Sequence, residues 1–559
     1  MSKPKAISLY GLRWKIAAAA LAKRAGRRAS RTQTGRRAVE ALHRRLDTPG
    51  EEPTSSYRSI VAELLRQASS QASGDSVVCD PVAGLVLDAP VQIPDSAEAA
   101  ARAEQSPSAG NLIAAAAAVR KPYVGDLHAA ADYYERAFAA NPNDLRAVEG
   151  ILTTGARTHF DWPRIWRCAQ TLKPRRGRLK AAADFWRAVD PLFDQHPDPV
   201  WVRQARTQLL YHQRELPTLH QLLLEAIAMR LQFLGHFVSA ASVRTAMAQN
   251  RCKELRGIPL ESALWLKHLL GAHAYLEEDQ ALASAAARPR LDTTGPLLST
   301  QAQKLRADVD LWLGRPERLQ AHAAGRRAQL ALRGDDLMES LAAGARIAVV
   351  GPAAAGADHG ELIDSYDLVV RTRHRVTGDP ARVGKRADIA YFAGRDLQAE
   401  YDDAAAAAGR GDFQLAVVRP FLHEALNDPP EWLRCARFEY GLYFRGAPLG
   451  IQRVIYDLLQ FAPAEVAVFH ADFYAGSVAR GDYRADGKRF GPDSVLNDLV
   501  AVHDLLSEFR WTQRMHRAGL ITAHGVTGEV LGLPQQDYLR RLEEGPLGRA
   551  GRQSAGAQR

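Results

Sequence analysis

The stretch from Arg346 to Phe392, RIAVVGPAAAGADHGELIDSYDLVVRTRHRVTGDPARVGKRADIAYF, decides the fold. Ile347-Ala348-Val349-Val350 is a short apolar run that ends at Gly351, and a loop of small residues follows. Ile363-Asp364-x-x-Asp367 leads into a second apolar run, Leu368-Val369-Val370, which ends at Arg371. Val383-Gly384-Lys385-Arg386 and a third run, Asp388 to Phe392, close the unit. Strand, glycine loop, helix, strand is the order of a nucleotide-binding α/β unit. A loop from a parallel strand into a helix offers N–H groups and the positive end of the helix dipole to an anion. Gly351 to Gly356 occupies that place, and Pro352 disturbs it because proline has no N–H. Arg371 falls at the carboxyl end of its strand, where ligands lie in open α/β sheets. Arg373 follows at i+2, on the same side of an extended chain. Two guanidinium groups there would clamp a phosphate or carboxylate; the alternative is surface ion pairing with Asp364 or Asp367.

Further along, Gly446-Ala447-Pro448-Leu449-Gly450 precedes IQRVIYDLLQF, in which Ile451, Val454, Ile455, Leu458 and Leu459 keep helical spacing. Gly450 therefore opens a helix after a tight loop and marks a second anion site. Glu465 to Phe469 reads as a strand, with Asp472 and Tyr474 just past its end, either as cleft residues or as turn residues. His503-Asp504-Leu505-Leu506-Ser507-Glu508 comes next. Histidine titrates near neutral pH and suits a general base. Asp504 is placed to cap a helix, and Glu508 to anchor that helix or the histidine loop. If 495–509 is one unbroken helix, His503 lies instead beside its apolar stripe as a core histidine.

Taken in this order, the segments resemble the long, short and very short sialyl motifs of the eukaryotic-type sialyltransferases, glycosyltransferase family 29, in a bacterial form. The resemblance covers Ala345 to about Gly545. It implies a Rossmann-like α/β glycosyltransferase domain. It also implies inverting, metal-independent transfer of an ulosonic acid such as sialic acid or Kdo from a CMP-sugar to a hydroxyl of a surface or capsular glycan. His503 would be the base and Glu508 its helper. Gly351, Pro352, Arg371, Arg373, Arg386, Gly450, Asp472 and Tyr483 would hold the donor, with Arg484, Lys488 and Arg489 beside Tyr483 at the leaving phosphate. The departures are specific. Pro352 stands where the family usually has an asparagine, Arg373 replaces the asparagine of V-x-R-x-N, and the hydroxyl residues of P-S-T-G are missing before Gly450. These departures favour a second reading, a degenerate domain that binds a glycan or protein without catalysis. The family's disulfide between long and short motifs has no counterpart here, since this domain holds only Cys435.

No cofactor and no metal are expected. The only D-x-D, Asp308-Val309-Asp310, falls in a helical region far along the chain from these motifs. Cys79, Cys168, Cys252 and Cys435 share no metal-ligand spacing and form no disulfide framework, as in a reducing compartment. Of the formal charge of +10, residues 1–45 hold thirteen Lys/Arg against the single acid Glu40, so the remainder is slightly acidic. A basic tail of this kind meets anionic lipid or nucleic acid. With no nucleic-acid fold motif present, the expected contact is the inner face of the cytoplasmic membrane. Leu9, Leu12, Trp14 and Ile16 would then be the apolar side of a surface helix; a solvated, disordered tail is the other reading. No run approaches the roughly 20 apolar residues of a membrane helix, and the charges around Ile16 to Ala22 argue against a secretory signal. A cytoplasmic location is expected.

The chain is expected to be multidomain: a basic tail (1–50), a linker (51–110), an all-α helical-repeat region (111–335), the α/β domain (336–545) and a disordered end (546–559). Ala130, Tyr134, Ala137 and Pro142 have the spacing of the second helix of a tetratricopeptide repeat. Trp166, Ala169 and Pro174, then Ala181, Phe185 and Ala188, partly repeat it. Such a region would bind a polymer acceptor or a partner protein, and on a third reading the helical repeats are themselves the function.

Overall fold

A computed structural model describes residues 96–120, 126–158, 160–175, 177–256, 263–287, 296–329, 332–353, 357–419, 430–446, 448–476 and 503–556. The basic tail, the linker up to residue 95, and Tyr483 with Arg484, Lys488 and Arg489 lie outside these residues.

The α/β reading holds. Seven strands, β1 (Arg346–Val350), β2 (Leu368–Thr372), β3 (Ile389–Tyr391), β4 (Leu415–Val418), β5 (Leu433–Cys435), β6 (Glu465–Phe469) and β7 (Thr522–Ala523), form one sheet in the order β5-β4-β3-β2-β1-β6-β7. Every pairing is parallel. The order runs outward from β1 to β5 and then returns to the other side of β1, so a topological switch point lies between β1 and β6.

The strands are apolar on both sides because both faces are covered. Ile347, Val349, Val370, Tyr391 and Val417 pack into a core that runs continuously into the helical region. Their neighbours in sequence point the other way. Ala348, Val350, Val369 and Phe469 pack under Ile363 and Tyr366, and Ala390, Phe392 and Val418 pack with Leu397 and Ala404.

Helices precede the sheet as antiparallel hairpins. In α1 (Leu127–Ala140) and α2 (Leu145–Thr158), Ala130, Tyr134 and Ala137 are buried. Tyr134 lies so close to Gly150 that a Cβ there would sit 2.2 Å from its ring. The recurring Trp166, Ala169, Phe185 and Ala188 are buried as well. The later helices α3 (Gln221–Phe233), α4 (Phe237–Arg256), α5 (Ala263–Tyr275), α6 (Asp279–Ala286) and α7 (Pro296–Trp312) bring this region against the α/β part.

Three expectations are corrected. Helix begins within the assigned linker, at Ser96–Gln105. The end of the chain is not structureless, since Pro546–Gly556 is a helix whose Leu547 is buried and whose Arg552 reaches the Gly235 carbonyl. Asp308 is not remote from the α/β motifs. Fully buried, it accepts from Lys304 Nζ at 2.5 Å, from the Gly441 N–H at 2.9 Å and from the Tyr456 hydroxyl at 2.7 Å. Lys304 also donates to the Glu439 carbonyl. Asp308 thus serves as a buried joint between the two parts, while Asp310 pairs locally with Arg315 and Arg318.

Candidate functional site

The site is built from the carboxyl ends of the strands nearest the switch point. At the end of β1 the Gly351 N–H donates to the Phe469 carbonyl and the Ala353 N–H to the His470 carbonyl, both at 2.8 Å. A Cβ on Gly351 would lie 2.5 Å from the His470 oxygen. Glycine is therefore required so that β1 and the turn after β6 can meet. Residues 354–356 lie outside the described residues, and α8 (Gly360–Asp364) is little more than one turn. The expected phosphate cradle is thus corrected at Gly351 and Pro352: the Gly351 and Ala353 N–H groups are engaged by Phe469 and His470, and Pro352 has none.

Of the predicted arginines among the described residues, Arg371 and Arg386 are structural. Arg371, 5 % exposed, donates from Nε to the Arg386 carbonyl at 2.7 Å and from Nη2 to the Val383 carbonyl at 2.5 Å. Burial lowers it to about 10. It braces the loop that closes the motif. Arg386 precedes β3 and bonds the carbonyls of Asp364, Tyr366 and Asp367 and the carboxylate of Asp388, all at the amino edge of β2 and β3. Ligands in such sheets lie at the opposite edge. Arg373 sits past the strand in a left-handed conformation, φ 74°, and pairs with Glu400 at 2.9 Å. The two-arginine clamp does not form, because the chain leaves the extended state between its members.

Gly450 opens α9 (Gly450–Leu459), and no side chain caps that helix. A Cβ on Gly450 would lie 3.2 Å from Thr372 Cγ2, so this helix start abuts the end of β2. The Leu449 N–H donates to Glu508 Oε1 at 3.3 Å, and the Tyr443 hydroxyl to Glu508 Oε2 at 3.0 Å. Glu508 is 2 % exposed, and burial pushes its carboxyl up, against His503 and Tyr443. His503 Nδ1 is 3.8 Å from Glu508 Oε1. Helix α10 spans Leu505–Arg517, with Asp504 as N-cap accepting from the Ser507 N–H at 3.2 Å. His503 therefore precedes the helix, and the unbroken helix over 495–509 is overturned. Asp504 also pairs with buried Arg244 at 3.4 Å, and the His503 carbonyl accepts from Gln232 at 3.0 Å. The helical region thus positions the loop that carries the histidine.

After β6 the backbone is strained. His470, Phe473 and Tyr474 all take positive φ (52°, 47° and 65°), rare for residues with side chains. Asp472 resolves as a turn residue: its Oδ1 accepts from the Tyr474 N–H at 3.0 Å and its carbonyl from the Ala475 N–H at 2.8 Å.

Three histidines that sequence reading did not select converge here. His359 ends the loop after β1, His470 follows β6, and His524 follows β7. The His359 ring centre is 5.6 Å from that of His470 and 6.4 Å from that of His524, which stacks on Phe469 at 4.5 Å. His470 Nε2 meets the Arg382 carbonyl at 2.9 Å. Buried Nδ1 of His359 and Nε2 of His524 have no hydrogen-bond partner among the described residues. Burial, with His359 adding to it, holds His524 below its ordinary value. The three are far apart in the chain and share no motif; only the strand order brings them together. A search against models of known protein families and a search of curated proteins both find no match to this chain.

Proposed function

We propose that this protein is an inverting glycosyltransferase that moves a sialic acid- or Kdo-type ulosonic acid from a CMP-sugar to a hydroxyl of a surface or capsular glycan, without a metal in the reaction. The observation that carries the reading is the contact chain His503–Glu508–Leu449–Gly450–Thr372, which sets a half-buried imidazole beside an uncapped helix start at the ligand edge of a doubly wound sheet. In the proposed step, His503 takes the proton of the acceptor hydroxyl as its oxygen bonds the anomeric carbon. The bond from that carbon to the CMP phosphate breaks, and CMP leaves with the electron pair. The positive end of α9 receives the charge on the departing phosphate. Glu508 holds the histidine loop against Leu449 and is a positioning residue.

We read the antiparallel hairpins as tetratricopeptide-like, the glycan or a protein partner as their ligand, and the basic tail as the attachment to an anionic membrane surface. The location proposed is the cytoplasmic face. No described helix is long and apolar enough to cross a membrane.

A second reading, a domain that binds without catalysis, is favoured by the engagement of the Gly351 and Ala353 N–H groups and by the burial of Arg371. Calorimetry with CMP and CDP, without added metal, separates the two. Micromolar CMP binding, together with CMP release from CMP-sugars that stops in His503→Ala, is the expected outcome. No binding of either nucleotide overturns the transferase reading. CMP binding without turnover of any CMP-sugar supports the second.

A further inference from the structure

The helical region contains a second cluster of chemically competent side chains, away from the sheet. Cys252 on α4, His273 on α5 and Glu278 at the start of α6 turn their donor atoms toward one point, all within 4.8 Å of one another. Cys252 Sγ is 3.7 Å from His273 Nδ1, which is 2.7 Å from Glu278 Oε2. Cys252 and His273 are buried, 4 % and 2 % exposed, whereas the Glu278 side chain is 44 % exposed. The backbone builds this arrangement deliberately. Glu277 takes φ 55°, and the Glu278 N–H folds back onto the His273 carbonyl at 3.0 Å.

We infer that Cys252, His273 and Glu278 bind a divalent transition-metal ion, zinc by the chemistry of the set. Thiolate, imidazole and carboxylate are the ligand types of tetrahedral zinc, and bonds of about 2.0–2.3 Å separate such donors by about 3.3–3.7 Å. The sulfur–nitrogen distance already fits. The nitrogen–oxygen distance opens by about 0.6 Å to meet the same geometry, through rotation of the half-exposed Glu278. Binding releases the thiol proton to solvent. The exposed side of Glu278 is the entry path and leaves the fourth position to water.

The ion would act as a staple. Glu277 and Asp279, on either side of Glu278, hold α10 through Arg510 at 3.5 Å and Arg514 at 3.4 and 2.9 Å. Fixing the turn fixes the helix that carries Glu508. The inference stands whether or not the transferase reading does.

Cobalt titration of the metal-stripped full chain tests it. A near-ultraviolet thiolate-to-cobalt band saturating at one equivalent, and displaced by zinc, is expected. Cys252→Ser abolishes the band. Glu278→Gln, a mild change at a half-exposed position, keeps the circular dichroism spectrum and weakens cobalt binding by about tenfold or more. Zinc raises the melting temperature of the wild type more than that of Glu278→Gln. A wild-type protein with no thiolate band, a band that survives Cys252→Ser, or an affinity unchanged in Glu278→Gln overturns the assignment.

Discussion

At the scale of single residues, the decisive fact is that His503 stands outside its helix. Asp504 takes the capping position, so the histidine is held by its loop and by Glu508 rather than by a helical stripe. Under the proposed transferase function, His503→Ala lowers turnover of a CMP-sugar by about 10²- to 10⁴-fold while leaving CMP binding and the unfolding transition unchanged. Steady-state kinetics beside calorimetry checks this, and a matching loss of CMP affinity argues against a base. Gly351 makes a second residue-scale prediction. Its side-chain direction is filled by the His470 carbonyl, so Gly351→Ala must push two central strand ends apart. A loss of about 1–3 kcal/mol in urea denaturation is expected, as for other overpacked sites. Both residues stand out in the sequence, but their roles do not. A glycine after a strand reads the same whether its N–H faces a phosphate or a neighbouring carbonyl.

At the scale of elements, the long apolar runs were legible. The expected strands at Ile347, Leu368, Asp388 and Glu465 match β1, β2, β3 and β6 within a residue or two at their ends. β5 and β7 were not, because Arg434 interrupts the apolar run of Leu433–Cys435 and Thr522–Ala523 is only two residues long. The joint between the helical and α/β parts was equally hidden. Lys304 and Asp308 look like an ordinary i,i+4 surface pair, yet both are fully buried and bonded to the other part of the chain. Asp308→Ala leaves the Lys304 ammonium buried without its counter-charge. A loss of about 3–5 kcal/mol is expected, measurable by chemical denaturation as a single shifted transition. Two separate transitions in the wild type would show that the parts do not depend on each other.

At the scale of the whole molecule, the helical region is part of the same body as the sheet. One apolar core contains Ala103 and Leu547 together with one face of the sheet, and Gln232 and Arg244 hold the histidine loop. Removing the helical region would therefore expose a sheet face, and point substitutions are the cleaner test of function. The region also makes stability depend on pH. Burial, with Arg206 and Arg552 adding, lowers His236 to about 4, and burial, with Arg251 and Lys267 adding, holds His268 well below its ordinary value. His236 Nδ1 and His268 Nε2 have no hydrogen-bond partner among the described residues. Both folded values lie below the unfolded one of about 6.5. The stability tied to the neutral rings is complete above that pH and is lost as pH falls toward 4, by up to about 1.4 kcal/mol per pH unit for each histidine. Urea midpoints between pH 7 and pH 4.5 should fall accordingly, and less steeply in a His236→Asn, His268→Asn variant.

The sequence by itself determined the class of fold, because hydrophobic period and turn residues are local properties. Only the tertiary structure decided which side chains there are available. Arg371 and Arg386 became braces because carbonyls from other segments reach them. The cluster of His359, His470 and His524, and the group of Cys252, His273 and Glu278, exist only because chain crossings bring distant residues together. A hydrogen-bond partner or a shared donor point is set by distances in space, and spacing along the chain does not encode it.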